Sequence, residues 1–285
     1  MSLTHIIRTD MPLRALLKQV IRKPRWTRPT IKVFPVSTRA SLTGTAFDYL
    51  LRFELQRRFR GTPIEHGWWI AKMAAPQVPK KRLSKQFIKE AEQQVDFYSR
   101  GYFDTVEMAK TCTVLAKFDF VYRAGWADPQ WLVTDEVVAE ELLELLEVVP
   151  FEAFQPKHRL TLNPTFGEGS HWVGGADSDV MVDGLLIDLK TVTKAELSLD
   201  ELRQLVGYGV LARLGGIHIV DSPASQQKVN VELESLGLYY ARHGHLITFD
   251  LDDLVIEDGW ELLEDYFLTH YASTGKNVSD IAAGD

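Results

Sequence analysis

Two short apolar runs separated by Asp-Gly constrain the fold of this chain more than any other feature. Val180-Met181-Val182 and Leu185-Leu186-Ile187 flank Asp183-Gly184. Asp-Gly between two apolar runs is a strong signal for a β-hairpin with a two-residue turn, because both residues tolerate a positive φ. Strands this apolar are typically buried on both faces, so we expect a sheet that packs against other elements.

Helical periodicity dominates the first 150 residues, and strand patterns begin at Lys157. The predicted helices span 13–20, 41–59 with Ser41 or Thr43 as the cap, 84–120 with a break near Gly101, 135–148, 199–214 and 253–271. Besides the Asp-Gly hairpin, strands are predicted at 158–164, 217–220, 229–240 and 245–251, while 61–80 is predicted to be irregular. This order indicates an α/β (α+β) fold with a largely helical N-terminal region.

The composition is that of a globular protein, with 45% hydrophobic and 25% charged residues. No apolar run approaches the ~20 residues that a membrane-spanning helix needs. Basic residues are scattered through the apolar ones at the N-terminus, which is not the pattern of a signal peptide. The single cysteine, Cys112, excludes an internal disulfide, a cysteine-ligated zinc site and an iron–sulfur cluster. We therefore expect a cytoplasmic protein with no membrane partner.

Charge is distributed unevenly along the chain. The net charge is −7, from 32 basic and 39 acidic residues. Residues 1–60 nevertheless carry 13 Lys/Arg against three Asp/Glu, a net +10, so the remaining 225 residues sum to −17. A second basic cluster, here called the Lys80 cluster, consists of Lys80, Lys81, Arg82, Lys85 and Lys89. A chain polarised in this way can present a basic face to phosphates, or it can simply carry a solvated basic segment.

The predicted hairpin brings ionisable residues together. With a two-residue turn at Asp183-Gly184, Asp179 stands opposite Asp188 and Asp177 opposite Lys190. Side chains alternate along a strand, so these four residues share one face. Like charges opposite each other destabilise a sheet, and a bound Mg²⁺ would offset the repulsion. Lys190 would hold or deprotonate a water there. The sequence thus predicts a metal site for phosphodiester hydrolysis; the alternative is a solvated face with a salt bridge.

The stretch from Gly174 to Tyr208 resembles the PD-(D/E)XK nuclease superfamily and its RecB-like branch. Gly174-Gly175-Ala176-Asp177 is similar to the Gly-x-x-Asp of that branch, and Asp188-Leu189-Lys190 stands at the D/E-x-K position. Gln204-Leu205-Val206-Gly207-Tyr208 resembles the Gln-x-x-x-Tyr helix motif. Upstream, Gly44 to Asp48 occupies a helix where the branch carries a Gly followed four residues later by a His. The ordered match covers about 165 residues, Gly44 to Tyr208.

The resemblance implies a set of metal ligands. Asp177 and Asp188 would ligate Mg²⁺ or Mn²⁺, with the carbonyl of Leu189 as a further ligand. Asp179 is an alternative to Asp177, since the hairpin register places it opposite Asp188. Asp48 would stand where the branch has its histidine.

The resemblance also implies roles outside the metal. Lys190 would position or activate the attacking water, and Gln204 and Tyr208 would line the site and contact the nucleic-acid backbone. Because Asp48 departs from the branch's histidine, Glu54, Glu140 and Glu144 are alternative upstream acids.

These expectations define one domain and one function. A basic N-terminal arm at 1–35 would precede a single PD-(D/E)XK nuclease-like domain at 36–270, with a mixed central sheet flanked by helices and a helical insertion at about 61–150; a flexible tail would follow at 271–285. The predicted activity is Mg²⁺-dependent cleavage of nucleic acid, with DNA favoured over RNA. The alternatives are a nucleic-acid-binding protein that keeps this fold without activity, and a structural or partner-binding domain. Exonuclease or endonuclease action and the oligomeric state stay open.

Overall fold

A computed structural model of the chain describes residues 2–78, 80–125, 128–222 and 225–272. The described residues contain one six-stranded sheet with the strand order β1-β2-β3-β4-β7-β8 and one two-stranded sheet of β5 and β6. The strands are β1 Ile64–His66, β2 Leu160–Leu162, β3 Val180–Val182, β4 Leu185–Lys190, β5 Ile217–Ser222, β6 Ser225–Val229, β7 Ser235–Tyr240 and β8 His245–Asp250. Pairs β1–β2 and β4–β7 are parallel and the other neighbours antiparallel, so the large sheet is mixed.

Helices cover both faces of the large sheet. They are α1 Leu3–Thr9, α2 Met11–Val20, α3 Ala40–Arg58, α4 Ile70–Ala74, α5 Lys81–Ser99, α6 Thr105–Ala124, α7 Glu136–Glu147, α8 Glu168–Trp172, α9 Leu199–Gly215, α10 Leu251–Leu254 and α11 Gly259–Phe267. Short 3₁₀ helices span Phe151–Phe154 and Ala241–His243, and a π-helix spans Leu268–Ala272. The predicted mixed α/β architecture, a mixed sheet flanked by helices, is confirmed.

The Asp-Gly hairpin forms in the predicted register. Val180 pairs with Ile187 and Val182 with Leu185. Asp183 adopts a φ of 51°, and its carboxylate accepts the backbone N–H groups of residues 157–159, each at 2.9 Å. Burial of the strands on both faces follows from their continuous apolar runs: alternate residues enter two separate cores.

The first core lies between the sheet and the helices of the N-terminal half. It contains Val180 and Ile187 from the hairpin together with apolar residues of α3, α5, α6 and α7. Helix α3 begins one residue before the predicted start, with Arg39 as its N-cap and no side-chain capping bond, so the prediction that Ser41 or Thr43 caps it is wrong. The predicted break near Gly101 occurs between α5 and α6, where Gly101 has a φ of 82°.

The second core lies on the opposite face, beneath α9. Met181 and Leu186 of the hairpin pack there with apolar residues of α1, α2, α9 and α11. Leu3, Ile6 and Ile7 of α1 are each at most 2% exposed, so the segment predicted as an arm places its first two helices in this core. Strand β1 likewise lies inside the range predicted as a helical insertion, at one edge of the large sheet.

Several element limits differ from the sequence-based expectations. The segment 229–240 is not one strand: β6 ends at Val229 and pairs with β5, whereas β7 begins at Ser235 and pairs with β4 and β8. The predicted helix 253–271 is divided into α10, α11 and the π-helix. Helices α1, α4 and α8 and strand β1 are too short to give a periodic signal. Most of the predicted tail, residues 273–285, lies outside the described residues.

Across the ranges that the structure describes, no helix combines the length and the apolar character needed to cross a membrane.

Candidate active site

Three elements meet at the C-terminal end of β4. Strand β4 carries Asp188 and Lys190, α9 presents Gln204 and Tyr208 above them, and α3 passes the end of the strand. A Cβ on Gly44 of α3 would lie 3.8 Å from Thr191, so this helix crosses the strand end closely. Helix α9 starts with a capping box between Ser198 and Glu201, which fixes the register of its inward face.

A chain of polar contacts links the strand to α9. Lys190 Nζ lies 2.6 Å from Asp188 Oδ2 and donates a hydrogen bond to Gln204 Oε1 at 2.9 Å. Gln204 Nε2 in turn donates to the hydroxyl oxygen of Tyr208 at 2.9 Å. Four of the residues predicted from the sequence therefore lie in one connected group. The spacing Gln-x-x-x-Tyr makes this possible, because residues four apart share one face of a helix.

The remaining carboxylates lie beside this group. Asp179 Oδ2 accepts the backbone N–H of Leu189 at 2.5 Å, as expected from a residue just beyond the Val180–Ile187 pair. Asp177 pairs with Arg123 of α6, with Asp177 Oδ2 and Arg123 Nη2 3.8 Å apart. Asp48 forms an ion pair with Arg52 one turn along α3. The hairpin and α3 thus bring four acids to the same end of the sheet.

Burial and mutual repulsion disfavour the charged state of three of these acids. Desolvation, followed by the charges of Asp48 and Asp188, raises the pKa of Asp179 well above its ordinary value. Desolvation also raises the pKa of Asp48 and that of Asp188, although Arg52 and Lys190 respectively oppose the rise. Desolvation lowers the pKa of Lys190, but the attraction and hydrogen bond of Asp188 and the charges of Asp179 and Glu201 together make the net shift upward.

Among the upstream acids left open by the sequence, Asp48 is the one at the site. Its charge acts on Asp179, and the charge of Asp177 acts on it. Glu54 is fully buried elsewhere, bound to Arg57, Arg58 and Tyr98. Glu140 and Glu144 are exposed on α7.

Two arginines of the site were missed by the sequence analysis. Arg52 has a side chain only 7% exposed, and its position four residues after Asp48 was a signal that could have revealed the pair. Arg123 has no such signal, because α6 reaches Asp177 only through the packing of α6 against α3 in the first core. Together with Lys190, these cations offset most of the charge on the four acids.

The donor set fits a hydrated divalent cation better than a preformed cage. Within the described residues, no three His, Cys, Asp or Glu side chains converge closely enough to enclose a metal ion. One carboxylate oxygen of the site, Asp48 Oδ1, is nevertheless buried without a hydrogen-bond partner. Mg²⁺ needs only one or two protein carboxylates, because it keeps several waters and takes substrate phosphate oxygens. Asp188 with Asp177 or Asp179 would supply those ligands. Asp48 and the backbone carbonyl of Leu189 are the further candidate ligands.

A buried acid, Asp119 of α6, lies behind the site. It is 3% exposed, and its Oδ1 accepts the hydroxyl of Tyr49 at 2.7 Å. Desolvation raises its pKa to about 7, against the hydrogen bond from Tyr49 and the attraction of Arg123 and Arg52; the charge of Asp48 adds to the rise. In the unfolded chain this carboxyl loses its proton near pH 4, whereas in the folded protein it holds the proton up to about pH 7. The free energy of unfolding therefore falls as the pH rises from about 4 to 7.

We expect Asp119→Asn to remove this pH dependence. The amide cannot ionise, but its oxygen still accepts the Tyr49 hydroxyl. The free energy of unfolding of the variant should therefore rise relative to wild type by about 2–3 kcal/mol between pH 5 and pH 8. Urea denaturation at the two pH values measures the difference. A difference that stays constant with pH would contradict the assignment.

Comparisons of the chain with models of known protein families, with curated proteins and with solved structures find no match.

Proposed function

We propose that this protein is a metal-dependent nuclease that hydrolyses phosphodiester bonds of DNA. The observation that carries the proposal is the group of Asp188, Lys190, Gln204 and Tyr208, connected by contacts of 2.6–2.9 Å, at the end of a buried strand where Asp179 and Asp177 also lie. A structural salt bridge alone needs none of the additional carboxylates. Their mutual repulsion is a cost that a bound cation and a phosphate-bearing substrate would offset.

The residues divide the proposed chemistry between them. Bound Mg²⁺ or Mn²⁺ would supply charge neutralisation and a more acidic water. Asp188, with Asp177 or Asp179, would hold the cation. Asp48, whose charge acts on Asp179, would lie beside it as a further acidic group. Lys190 is restrained by Asp188 and Gln204, so its ammonium is aimed at one position, where it would orient the water and stabilise charge on the phosphorane.

Gln204 and Tyr208 would act from α9. The hydrogen bond between them orients the Gln204 amide, so that its oxygen faces Lys190. Burial, followed by the charges of Asp188 and Asp177, raises the pKa of Tyr208 well above its ordinary value. The Tyr208 hydroxyl therefore remains protonated and would donate a hydrogen bond to a phosphate oxygen rather than act as a base.

A second candidate function has one observation in its favour. The acids are already neutralised in part by Arg52, Arg123 and Lys190, and the described residues form no closed metal cage. A protein that binds nucleic acid on this fold without cleaving it would retain such ion pairs. The two functions differ in whether a divalent cation produces cleavage.

The test compares wild type with Lys190→Ala on linear and circular DNA, single- and double-stranded, with Mg²⁺ or Mn²⁺. We expect metal-dependent cleavage by wild type and a loss of about 10²–10⁴-fold in the variant, because a positioned proton-transfer or charge-stabilising group contributes that much. Exposed Lys157→Ala is the matched control. Cleavage that survives Lys190→Ala would refute the proposed role, and an absence of cleavage with DNA and with RNA would favour the binding protein.

A further inference from the structure

A groove opens directly from the candidate active site. It has a volume of about 290 Å³ and shares Lys190 and Gln204 with the site. One wall is α1, through Thr4, Ile7 and Arg8, and the other is the segment from Val192 to Glu201 that connects β4 to α9. A ligand in the groove would therefore lie directly beside Lys190.

Among the groove residues without an ion-pair partner in the described chain, the cations Arg8 and Lys194 outnumber the one acid, Glu201. Arg8 and Lys194 are exposed, and neither forms an ion pair with any residue that the structure describes. Two of the three acids of the groove are ion-paired, and the third, Glu201, is hydrogen-bonded. Glu196 pairs with Arg28 at 2.9 Å, Asp200 binds Arg203 at 2.7 Å and Arg14 at 3.3 Å, and Glu201 accepts the N-cap contacts of Ser198. The ion-pairing leaves two free cations beside the site.

The groove also has one exposed apolar side chain. Val192 is 39% exposed, and Ile7 of α1, which also lines the groove, is buried. A single nucleic-acid strand carries phosphates at a regular spacing together with bases that have apolar faces, so it would match a groove with separate basic and apolar side chains. The volume of about 290 Å³ is just below the range of ~300–1,000 Å³ for ligand pockets, so the groove is narrow and favours a single strand over a duplex.

We infer that this groove binds the single strand flanking the scissile phosphate, with Arg8 and Lys194 holding neighbouring backbone phosphates. The inference rests on the proposed nuclease function and extends it to a substrate form: a single strand, or a duplex end that is opened before cleavage. It also gives α1 a role in substrate binding in addition to its packing in the second core.

The test measures binding of a fluorescein-labelled single-stranded oligonucleotide of about 12 nucleotides, a length within known single-strand site sizes. Binding is measured by anisotropy in EDTA, where the proposed metal-dependent reaction does not proceed. We expect Arg8→Glu/Lys194→Glu to weaken binding at least about tenfold at low salt. The slope of log affinity against log salt should become shallower by about 1.4, the value for two lost single-strand phosphate contacts.

The control exchanges the same number of charges in the Lys80 cluster. Lys85→Glu/Lys89→Glu changes two exposed lysines on α5, which packs in the first core rather than beside α9. A neutral version, Arg8→Gln/Lys194→Gln, guards against misfolding, and thermal unfolding of each variant is compared with wild type. Weakening by the α5 variant but not by the groove variant would overturn the inference, as would wild type that binds no oligonucleotide.

Further arms separate the substrate forms and the two proposals. A duplex of the same sequence should bind less tightly than the single strand, and an effect of the groove variant confined to duplex would overturn the single-strand assignment. Binding of an RNA oligonucleotide of the same sequence shows whether the groove prefers DNA or RNA single strands. If the groove variant lost binding while wild type cleaved nothing with any metal, the groove inference would be supported and the nuclease proposal contradicted. If the groove variant bound as tightly as wild type while wild type cleaved DNA with metal, the nuclease proposal would be supported and the groove inference contradicted.

Discussion

Asp188→Asn is expected to abolish both metal binding and cleavage. Asp188 is 5% exposed, forms an ion pair with Lys190, and carries a charge that acts on Asp179. An amide removes the charge that would hold the cation. Because a bound metal supplies several kcal/mol of transition-state stabilisation, we expect cleavage to fall by at least about 10³-fold. Isothermal titration with Mn²⁺ and cleavage of linear DNA measure the two losses.

The comparison with Lys190→Ala makes this prediction specific. Lys190 is a cation and is not a metal ligand, so its removal should leave stoichiometric Mn²⁺ binding intact while cleavage is lost. Asp253→Asn, an exposed acid of α10, is the matched control and should leave both properties unchanged. Stoichiometric Mn²⁺ uptake by Asp188→Asn equal to that of wild type would show that Asp188 does not hold the metal.

Breaking the buried ion pair between Glu141 and Arg242 is expected to give the largest loss of stability. Their side chains are 0% and 2% exposed. Glu141 Oε2 also accepts the backbone N–H groups of Val36 and Ser37, at 2.8 and 2.7 Å, and Arg242 Nε donates to the carbonyl of Thr191 at 3.3 Å. The pair therefore ties α7 and the segment before α3 to the residue that follows Lys190.

We expect Arg242→Met or Glu141→Gln to lower the free energy of unfolding by about 3–5 kcal/mol, because each leaves a buried partner uncompensated. The melting temperature should fall by roughly 10 °C. The double variant should cost much less than the sum of the two single variants, since no unpaired charge remains. Urea denaturation of the four proteins gives the cycle; additive losses would mean that the two side chains do not act as a pair.

The hairpin and the α9 motif show how far local sequence can lead. Asp183-Gly184 fixes the turn, the apolar runs fix the strands, and the two-residue period then fixes which side chains share a face. The Asp179–Asp188 and Gln204–Tyr208 relationships follow from these local rules, and the structure has the register that they predict. The signals are strong because each depends on residues close together in the chain.

The segments that were misassigned lacked such local signals. Residues 229–240 carry a continuous strand-like pattern, yet the chain leaves one sheet at Val229 and enters another at Ser235. The break between β6 and β7 depends on tertiary pairing, because β6 pairs with β5 and β7 pairs with β4. The apolar stripe at 13–20 predicts helix α2, but no local pattern describes the surface on α9 against which α1 and α2 pack.

The sequence by itself determined the mixed helix and strand order, the hairpin register and the group of ionisable residues on β4 and α9. The tertiary structure decided which distant residues lie at the candidate site: Asp48 rather than Glu54, Arg123 from the end of α6, and Arg8 in the adjoining groove. The reason is physical. Periodicity fixes the direction of a side chain relative to its own element, but the position of one element against another depends on the packing of both cores.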